Sequence, residues 1–380
     1  MSEQSSQKVE ERYDLWRLVT FLPNKEVPVH RWFYYKEGFS RELVWNLLTE
    51  FGIEGGVVLD PFVGSGTTTL TCMERGIESI GIDTSPLAVL VSYAKTRVYD
   101  PVRLETYFES LIRRSPIKVS EEGLRPITMR VFKKPTLLEI LAMREHVSEI
   151  PEFDYRSFFT LALMRAAMRC SYVYKDGSSI RIVKRHVPPF RPTFRRVVRE
   201  MVSDVKSIKL LSGPATIIKG DARSMERIEG QTIDAIITSP PYLNKIEYTR
   251  VYEVEEDLFL HDTKRESMRS YIGTVPKSLK SLPLDVDGLP DSAIAYLSDM
   301  EEVLREMYRV LVSEGTAAIV VAGAVYNQIV VETDVLIAEI AQRIGFEVKK
   351  ILAVNRRAVT SSRVKKIGEA RESIVYLMKP

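Results

Sequence analysis

Short apolar runs and amphipathic stretches alternate in the first and the last part of the chain. Runs of mostly apolar residues, bounded by Gly, Pro or charged residues, are typical of strands buried in a parallel sheet. Between them, apolar residues recur every three or four positions, which predicts helices, for example over residues 41–51 with Ser40 as the N-cap. The seven predicted strands are residues 57–60, 78–83, 215–221, 233–238, 316–322, 346–354 and 372–378.

The middle of the chain has a different pattern. Residues 101–214 contain long stretches of helical periodicity, such as 155–172 and 191–211. The alternation of strands and helices on either side of this region predicts an α/β fold with one doubly wound parallel sheet and right-handed crossovers. We therefore expect residues 1–100 and 215–380 to form the sheet domain, with 101–214 as a helical insertion and possible substrate-recognition region.

Composition narrows the class of protein. Hydrophobic residues make up 45% of the chain, which is enough for a packed core and excludes wholesale disorder. Two cysteines and four scattered histidines exclude a disulfide framework and a Cys-built zinc site, and no metal is predicted. No apolar run approaches the roughly 20 residues of a membrane span, so we expect a soluble, cytoplasmic protein without membrane contact. The sequence gives no indication of the oligomeric state.

The glycine-containing turn after the first predicted strand is the first candidate site. It has the sequence Asp-Pro-Phe-Val-Gly-Ser-Gly-Thr-Thr at residues 60–68, and Gly64 and Gly66 let the backbone approach a ligand closely. The third glycine of a dinucleotide-binding fingerprint and the lysine of a phosphate-binding loop are both absent. Asp60 suits a cationic ligand, and Asp83 ends the next strand, where ribose hydroxyls are usually held. This pattern predicts a nucleoside-binding site. The alternative interpretation is an ordinary tight turn between a strand and a helix.

A second motif, Thr-Ser-Pro-Pro-Tyr, begins at the end of the strand predicted at residues 233–238. Its two prolines fix the backbone and lack N–H donors, so the neighbouring carbonyl groups point without competition. Ser239 and the Pro240 carbonyl can then accept hydrogen bonds from an amino group, and Tyr242 offers a face on which a planar base can stack. The alternative is that the Pro-Pro pair only ends the strand.

Together the two motifs resemble those of the S-adenosylmethionine-dependent amino methyltransferases of nucleic acids, particularly the cytosine-N4 group. Weaker similarities to this family lie at residues 35–40, 81–89, 220–221 and 372–379. The resemblance covers both parts of the predicted sheet domain and leaves the insertion unmatched. It implies a Rossmann-like, doubly wound, seven-stranded methyltransferase sheet.

The resemblance also implies S-adenosylmethionine as the cofactor and a role for each matching position. Asp83 would accept hydrogen bonds from the ribose, Asp221 would contact the adenine amino group, and the other residues would shape the pocket around the methionine part. Ser239 and the Pro240 carbonyl would draw the N–H groups of the target amine out of the ring plane, which frees the nitrogen lone pair. The implied cofactor-binding residues are Phe39, Ser40, Asp60, Phe62, Gly64, Ser65, Gly66, Thr67, Asp83 and Asp221, and the implied catalytic residues are Ser239, Pro240, Pro241 and Tyr242.

Several activities are compatible with these motifs. Ser in place of Asp or Asn before Pro-Pro-Tyr favours the N4 amine of cytosine over the N6 amine of adenine. Methylation at C5 of cytosine needs a thiolate, and Cys72 and Cys170 lie in predicted helices where core packing is their expected role. DNA is slightly favoured over a structured RNA such as ribosomal RNA, and both mono- and dimethylation stay open. A non-catalytic nucleic-acid-binding protein is an alternative from another class, whereas the missing third glycine disfavours a nicotinamide-dependent dehydrogenase.

Basic residues are unevenly distributed although the net charge is only +3. Seven basic residues and no acidic residue lie at 181–199, interleaved with Phe190 and Phe194, which suits phosphate binding with base stacking; the alternative is a solvated helix face over core phenylalanines. A second basic stretch lies at 356–366, between the last two predicted strands, and the acidic run 253–257 predicts a solvated helix face or an internal partner for one basic stretch. The candidate nucleic-acid-binding residues are Arg181, Lys184, Arg185, Arg191, Arg195 and Arg196.

Overall fold

A central sheet of eight strands, most of them parallel, organises the protein. The structure is a computed structural model, and it describes residues 9–35, 38–176, 179–208, 213–243, 251–260, 288–326, 329–361 and 365–380. The strands of this sheet and of two small hairpins are β1 (Val9–Glu11), β2 (Val57–Asp60), β3 (Glu78–Asp83), β4 (Val173–Asp176), β5 (Ser179–Ile182), β6 (Ala215–Lys219), β7 (Ile233–Thr238), β8 (Leu311–Ala322), β9 (Ala324–Tyr326), β10 (Ile329–Val331), β11 (Glu347–Ser361) and β12 (Lys365–Met378).

The strand order in the central sheet is β1-β11-β12-β8-β7-β2-β3-β6. Strands β8, β7, β2, β3 and β6 run parallel to one another, whereas β12 is antiparallel to both of its neighbours. This arrangement confirms the predicted doubly wound α/β fold, but the sheet has eight strands rather than seven. The additional strand, β1, is a three-residue edge strand paired with β11, and it is too short and too exposed to show an apolar pattern.

The last two strands are longer than predicted. Strands β11 and β12 stay paired from Glu347 opposite Met378 to Ser361 opposite Lys365. Charged residues such as Arg356 interrupt the apolar pattern in the outer half of this hairpin, but backbone pairing does not require apolar side chains. The second basic stretch therefore lies mainly on these strands and not between them.

Helices pack on the two faces of the sheet. Side chains of alternating strand residues enter separate apolar clusters: Leu59 and Ile236 pack with the helices at residues 291–310 and 333–344, whereas Val58 and Ile237 pack with the helix at residues 41–50. Among the described residues, no helix is both long enough and apolar enough to cross a membrane. The helices are α1 (Arg41–Glu50), α2 (Thr67–Glu74), α3 (Pro86–Lys95), α4 (Pro101–Arg113), α5 (Pro126–Arg130), α6 (Lys134–Ser148), α7 (Phe153–Arg169), α8 (Phe190–Ser207), α9 (Glu253–Phe259), α10 (Asp291–Val310) and α11 (Thr333–Ile344).

The predicted insertion adds helices α4 to α8 and the hairpin β4–β5. Its apolar side chains share one core with α3 and with Trp32, and Val91, Phe158 and Phe194 are all buried there. Apolar packing therefore holds the helical layer directly against the helices of the sheet. The sequence did not predict the hairpin, because each of its strands alternates over only four residues.

A buried carboxylate also anchors this layer to the beginning of the chain. Asp204 on α8 is 2% exposed and accepts hydrogen bonds from the Trp32 indole (Nε1, 3.0 Å) and the Arg31 guanidinium (Nε, 3.0 Å). The backbone N–H of Val29 donates to the same carboxylate at 3.3 Å. These bonds fix the segment that leads into the predicted methionine-binding residues 35–40.

Candidate active site

Both sequence motifs lie at the carboxyl edge of the parallel strands. The order β7-β2-β3-β6 brings the ends of these four strands side by side, at Thr238, Asp60, Asp83 and Lys219. Gly220 donates its backbone N–H to the Asp83 carbonyl at 3.1 Å, so the segment after β6 lies beside the end of β3. This edge is where doubly wound sheets bind their ligands.

The turn between β2 and α2 is tight and packs closely against neighbouring side chains. Gly64 and Gly66 have φ angles of +49° and +77°, in the left-handed region that favours glycine. A Cβ on Gly66 would lie 2.9 Å from the Ser92 Cβ, and one on Gly64 would lie 3.4 Å from the Tyr35 ring. Helix α2 begins directly after the turn, so its first backbone N–H groups face the same edge. The other predicted turn residues are Phe62, half-buried, and Ser65 and Thr67, both buried.

Asp83 holds this turn in place. Its carboxylate accepts the backbone N–H of Gly64 at 3.0 Å and that of Ser85 at 2.9 Å. Burial raises the pKa of Asp83 to about 6, and these backbone hydrogen bonds only partly oppose the effect. The carboxylate thus stands at the end of β3 and accepts backbone hydrogen bonds from Gly64, Thr84 and Ser85, and its two oxygens offer about four acceptor positions, which leaves acceptor capacity for a ligand.

Asp60 connects the two motifs directly. Its Oδ1 accepts the hydroxyl of Thr238 at 2.6 Å and the backbone N–H of Phe62 at 3.1 Å. The side chain is only 2% exposed, and burial raises the pKa of Asp60 to about 6. Hydrogen bonds from Thr238 and Thr68 lower the pKa and only partly offset this effect. Asp60 therefore ties the glycine turn to the strand that carries the second motif.

Ser239 and the residues after it line the end of β7. The Ser239 hydroxyl donates to the Val320 carbonyl on β8 at 3.1 Å, so its oxygen lone pairs remain available as acceptors. Pro240 is buried, Pro241 is half-buried and Tyr242 is 7% exposed. The Thr238–Asp60 bond brings this segment next to the glycine turn.

Asp221 has a strong partner of its own. Arg223 donates to both of its carboxylate oxygens, with Nη2 at 2.7 Å from Oδ2 and Nε at 3.0 Å from Oδ1. The same guanidinium reaches Asp299 on α10 at 2.9 Å. An adenine amino group at this position would therefore compete with Arg223 for the carboxylate.

Asn24 joins the predicted methionine-binding segment to α2, and sequence reasoning missed it. Its buried Nδ2 donates to the Phe39 carbonyl at 3.0 Å and to the Thr67 hydroxyl at 3.5 Å. Its Oδ1 accepts the backbone N–H of Arg41 at 2.8 Å, beside Ser40, which caps α1. A single asparagine in a short 3-10 turn carries no periodic or motif signal that could have identified it.

Two tyrosines form a second feature that the sequence did not reveal. The rings of Tyr35 and Tyr252 stack with centroids 5.4 Å apart and an interplanar angle of 9°. Phe33 packs against Tyr252 with centroids 5.6 Å apart. Because Tyr35 also borders Gly64, this aromatic group lies beside the turn between β2 and α2.

The acidic run at 253–257 is not a solvated helix face, so that prediction is wrong. On α9, Glu255 is 2% exposed and Asp257 is 5% exposed. Lys175 contacts Glu255 at 2.5 Å, and Arg125 contacts Asp257 at 3.4 Å. The partners of the buried acids come from the insertion, but neither lies in the two predicted basic stretches.

The predicted nucleic-acid-binding residues lie on β5, on the segment after it and on α8. Arg191 is half-buried, 3.8 Å from the Glu139 carboxylate. Phe190 and Phe194 are each 1% exposed and stack on one another with centroids 5.9 Å apart. The prediction that these two rings stack on bases is therefore wrong, because they face the apolar core. The exposed members of the basic set are Arg181, Lys184, Arg185, Arg195 and Arg196.

The second basic stretch is partly neutralised within the protein. Arg356 pairs with Glu11 on β1 at 2.7 Å, and Arg357 pairs with Glu372 on β12 at 2.6 Å. Arg363 lies outside the described residues. The two described guanidiniums therefore hold the strands of the sheet edge together.

Both cysteines are free and buried. Burial raises the pKa of the Cys72 and Cys170 thiols above the ordinary range. Neither side chain can readily supply the thiolate that methylation at a ring carbon requires.

Sequences of known proteins match the chain over both motifs. The DNA methylase family of N6/N4 methyltransferases matches residues 1–93 and 233–380. The chain is 27% identical to the type II methyltransferase M.BsoBI of Geobacillus stearothermophilus, over 96% of this chain and 88% of that protein. It is 25% identical to the type II methyltransferase M.AvaI of Nostoc sp., over 89% of this chain and 83% of that protein. It is 22% identical to the type II methyltransferase M.MvaI of Kocuria varians, over 75% of this chain and 74% of that protein. Because the family match includes more than half of the chain and both motifs, this chain belongs to the DNA methylase family of S-adenosylmethionine-dependent N6/N4 methyltransferases.

Proposed function

We propose that the chain transfers the methyl group of S-adenosylmethionine to the exocyclic N4 amine of cytosine in DNA. The observation that carries this proposal is the 2.6 Å hydrogen bond from Thr238 to Asp60. It joins the end of the Ser-Pro-Pro-Tyr strand to the glycine turn, so a methyl donor in the turn and an amine at Ser239 would be neighbours. A methyl transfer needs this proximity more than it needs an acid or a base.

The residues at the carboxyl edge fit S-adenosylmethionine. Gly64 and Gly66 have positive φ angles and lie close against Tyr35 and Ser92 without a side chain, so the backbone of the turn can approach a ligand closely, and α2 presents its N-terminal N–H groups there. Asp60 and Asp83 supply negative charge for a sulfonium cation, and the Asp83 oxygens can accept from ribose hydroxyls. When bound, S-adenosylmethionine supplies an activated methyl group. The residues that would hold it are Phe39, Ser40, Asp60, Phe62, Gly64, Ser65, Gly66, Thr67, Asp83 and, in competition with Arg223, Asp221.

Ser239 and Pro240 would act on the amine. An exocyclic amine is a poor nucleophile while its lone pair is delocalised into the ring, and acceptors that hold its N–H groups out of plane restore the lone pair. Because the Ser239 proton is committed to Val320, its oxygen can serve as such an acceptor beside the Pro240 carbonyl. Tyr242 would stack on the base, with Pro241 fixing the chain between them. Serine before Pro-Pro-Tyr supports cytosine N4, and adenine N6 is the alternative within the same chemistry.

DNA is the proposed polymer, and residues 101–214 are the proposed recognition region. The family match and the type II methyltransferase relatives support DNA over structured RNA. The exposed basic residues of β5 and α8 would neutralise phosphates, whatever the base sequence. Arg181, Lys184, Arg185, Arg195 and Arg196 are the exposed members of this set, and Arg191 is the half-buried one.

Nucleoside mass spectrometry tests the function. The protein is incubated with isotopically labelled S-adenosylmethionine and, separately, with duplex DNA, total RNA and ribosomal subunits. We expect labelled N4-methyldeoxycytidine in the DNA and no label in either RNA sample. Labelled N6-methyldeoxyadenosine would show that the target base is adenine and not cytosine. Label confined to RNA would overturn the choice of polymer. A protein that labels no polymer and shows no binding of S-adenosylmethionine in calorimetric titration would be a non-catalytic nucleic-acid-binding protein.

The raised pKa values of Asp60 and Asp83 predict proton release when the cofactor binds. Both carboxyls have a pKa of about 6, so near pH 6 each is partly protonated in the free protein. A sulfonium cation binds the ionised form better, so binding at pH 6 should release protons, and affinity should fall by up to about tenfold per pH unit for each coupled carboxyl below pH 6. Calorimetric titration in buffers of different ionisation enthalpy measures the protons released.

S-adenosylhomocysteine is the matched control for this prediction, because it lacks only the methyl group and the sulfonium charge. We expect it to release fewer protons at pH 6 than S-adenosylmethionine does. Equal release by the two ligands would contradict electrostatic coupling to the sulfonium centre. The same shift has an opposite consequence for folding: because the folded-state pKa is raised, ionisation of these groups costs stability as pH rises through about 4 to 6.

A further inference from the structure

The hairpin β4–β5 is a two-stranded antiparallel ribbon within the helical layer. Its register pairs Val173 with Ile182, Tyr174 with Arg181 and Lys175 with Ile180. Side chains of neighbouring residues on a strand point to opposite faces, so Tyr174 and Arg181 share one face of the ribbon. Val173 is 7% exposed, whereas Tyr174 is 51% exposed. One face therefore packs on the protein and the Tyr174–Arg181 face points outward.

The inward face fixes the ribbon next to the candidate active site. Lys175 Nζ lies 3.9 Å from the centroid of the Tyr252 ring and 2.5 Å from the buried Glu255 carboxylate. Tyr252 in turn stacks on Tyr35, whose ring borders Gly64 in the cofactor turn. Three successive contacts thus connect the inward face of the ribbon, through Tyr252 and Tyr35, to the turn of the candidate site.

The outward face has the chemistry of a nucleic-acid contact. Tyr174 is half-exposed and Val183 is 42% exposed, and the exposed basic residues Arg181, Lys184 and Arg185 lie beside them. The sequence contains no acidic residue from 177 to 199, and Asp176 is the one acidic residue of the two strands, so basic residues outnumber acidic ones in the ribbon and the segment after it. Basic side chains neutralise phosphates, whereas an exposed tyrosine and valine can contact base edges and the thymine methyl group.

We propose that the outward face of the β4–β5 ribbon, with Tyr174 and Arg181 as its central pair, docks in the major groove of duplex DNA beside the target base. The proposal rests on the proposed function for its polymer. The B-DNA major groove is about 12 Å wide and admits a two-stranded ribbon. The major groove of A-form RNA is deep and narrow, which excludes such a ribbon. Arg181 would contact a phosphate of the DNA backbone, and Tyr174 would contact base edges as a specificity-determining residue.

Equilibrium binding to a fluorescent duplex DNA of mixed sequence tests the ribbon without depending on catalysis. We expect Arg181→Ala to weaken binding about threefold to tenfold and to reduce the slope of log affinity against log salt by about one, as the loss of one phosphate contact requires. Tyr174→Ala should weaken binding by a similar factor with an unchanged salt slope, because no charge is lost. Arg305→Ala is the control, since it removes another exposed guanidinium (62% exposed) from α10, outside the insertion.

Thermal unfolding, affinity for S-adenosylmethionine and binding to duplex RNA serve as controls for the DNA-binding measurement. Both replaced side chains are exposed, so we expect unchanged thermal unfolding and unchanged affinity for S-adenosylmethionine in every variant. The inference is overturned if Tyr174→Ala and Arg181→Ala bind DNA as Arg305→Ala does, or if they lose affinity for duplex RNA but not for DNA. A failure of the proposed function looks different: the wild-type protein would bind DNA through the ribbon and yet transfer no methyl group to cytosine.

Discussion

Replacing Ser239 by alanine is expected to lower kcat for methyl transfer about a hundredfold or more while the affinity for S-adenosylmethionine stays within about twofold. The hydroxyl stands at the end of β7 with its proton donated to the Val320 carbonyl at 3.1 Å, so alanine removes an acceptor that is already oriented. No described contact of the Ser239 hydroxyl reaches the glycine turn, so cofactor binding should be unaffected. Single-turnover transfer and calorimetry with the same preparations measure the two quantities.

Ser79→Ala is the matched control for Ser239→Ala. Ser79 is a buried strand serine on β3 whose hydroxyl also donates to a carbonyl, that of Thr69 at 3.5 Å, near the opposite end of its strand. We expect this variant to keep its kcat. If both serine variants lose activity equally, or if Ser239→Ala keeps the wild-type rate, Ser239 has no acceptor role at the amine.

Replacing Asp83 by asparagine is expected to weaken S-adenosylmethionine binding about a hundredfold, or about 2.7 kcal/mol. The carboxylate accepts the N–H groups of Gly64 and Ser85, and asparagine can accept only with its single oxygen. One backbone donor would then face an NH₂ group, which opens the turn, and the charge opposite the sulfonium would be lost. Each charge-assisted hydrogen bond contributes about 1.5–3 kcal/mol, so a loss of this size is within reach.

Asp234→Asn provides the comparison for Asp83→Asn. Asp234 also accepts a backbone N–H through its carboxylate, that of Val57 at 2.7 Å, but at the amino ends of β7 and β2. Calorimetric titration should therefore give the wild-type affinity for this variant after both proteins are shown to be folded. A loss of affinity in Asp234→Asn as large as in Asp83→Asn would mean that the effect comes from the sheet and not from the cofactor turn.

Most of the sheet could be predicted because its signals are local. Buried parallel strands produce continuous apolar runs, and turn residues such as Gly64 and Gly66 mark where the chain must adopt positive φ. Strands and contacts were not predicted where the sequence has neither an apolar run nor a turn residue to indicate them. The edge strand β1 is exposed, and the outer parts of β11 and β12 are held by backbone pairing between charged residues. Asn24 and the Tyr35–Tyr252 stack act through contacts between segments that no periodicity connects.

The distribution of charged residues along the sequence was the least reliable basis for predicting which side chains are exposed. The pattern of residues 181–199 predicts nucleic-acid binding through both the basic and the aromatic side chains. In the structure Phe190 and Phe194 are core residues, while Arg195 and Arg196 are exposed. The sequence cannot distinguish these two roles, because a helix that alternates basic and aromatic residues has the same composition in either case. The acidic residues Glu255 and Asp257 were predicted to be solvated and are buried. Their partners Lys175 and Arg125 lie far away in the sequence, so no local pattern indicates the pairing.

The sequence by itself determined the doubly wound sheet and the two motifs, because strand periodicity, turn chemistry and the residue types of a site are all written within short segments. The tertiary structure alone decided how these parts meet. Thr238 and Asp60 are 178 positions apart, and they become hydrogen-bonded neighbours only because β7 and β2 pair in the sheet. The β4–β5 ribbon is likewise oriented by contacts with distant segments, since Val173 packs in the core and Lys175 contacts Tyr252 and Glu255. Contacts between distant segments depend on packing and on the burial of charge, and no local pattern encodes either one.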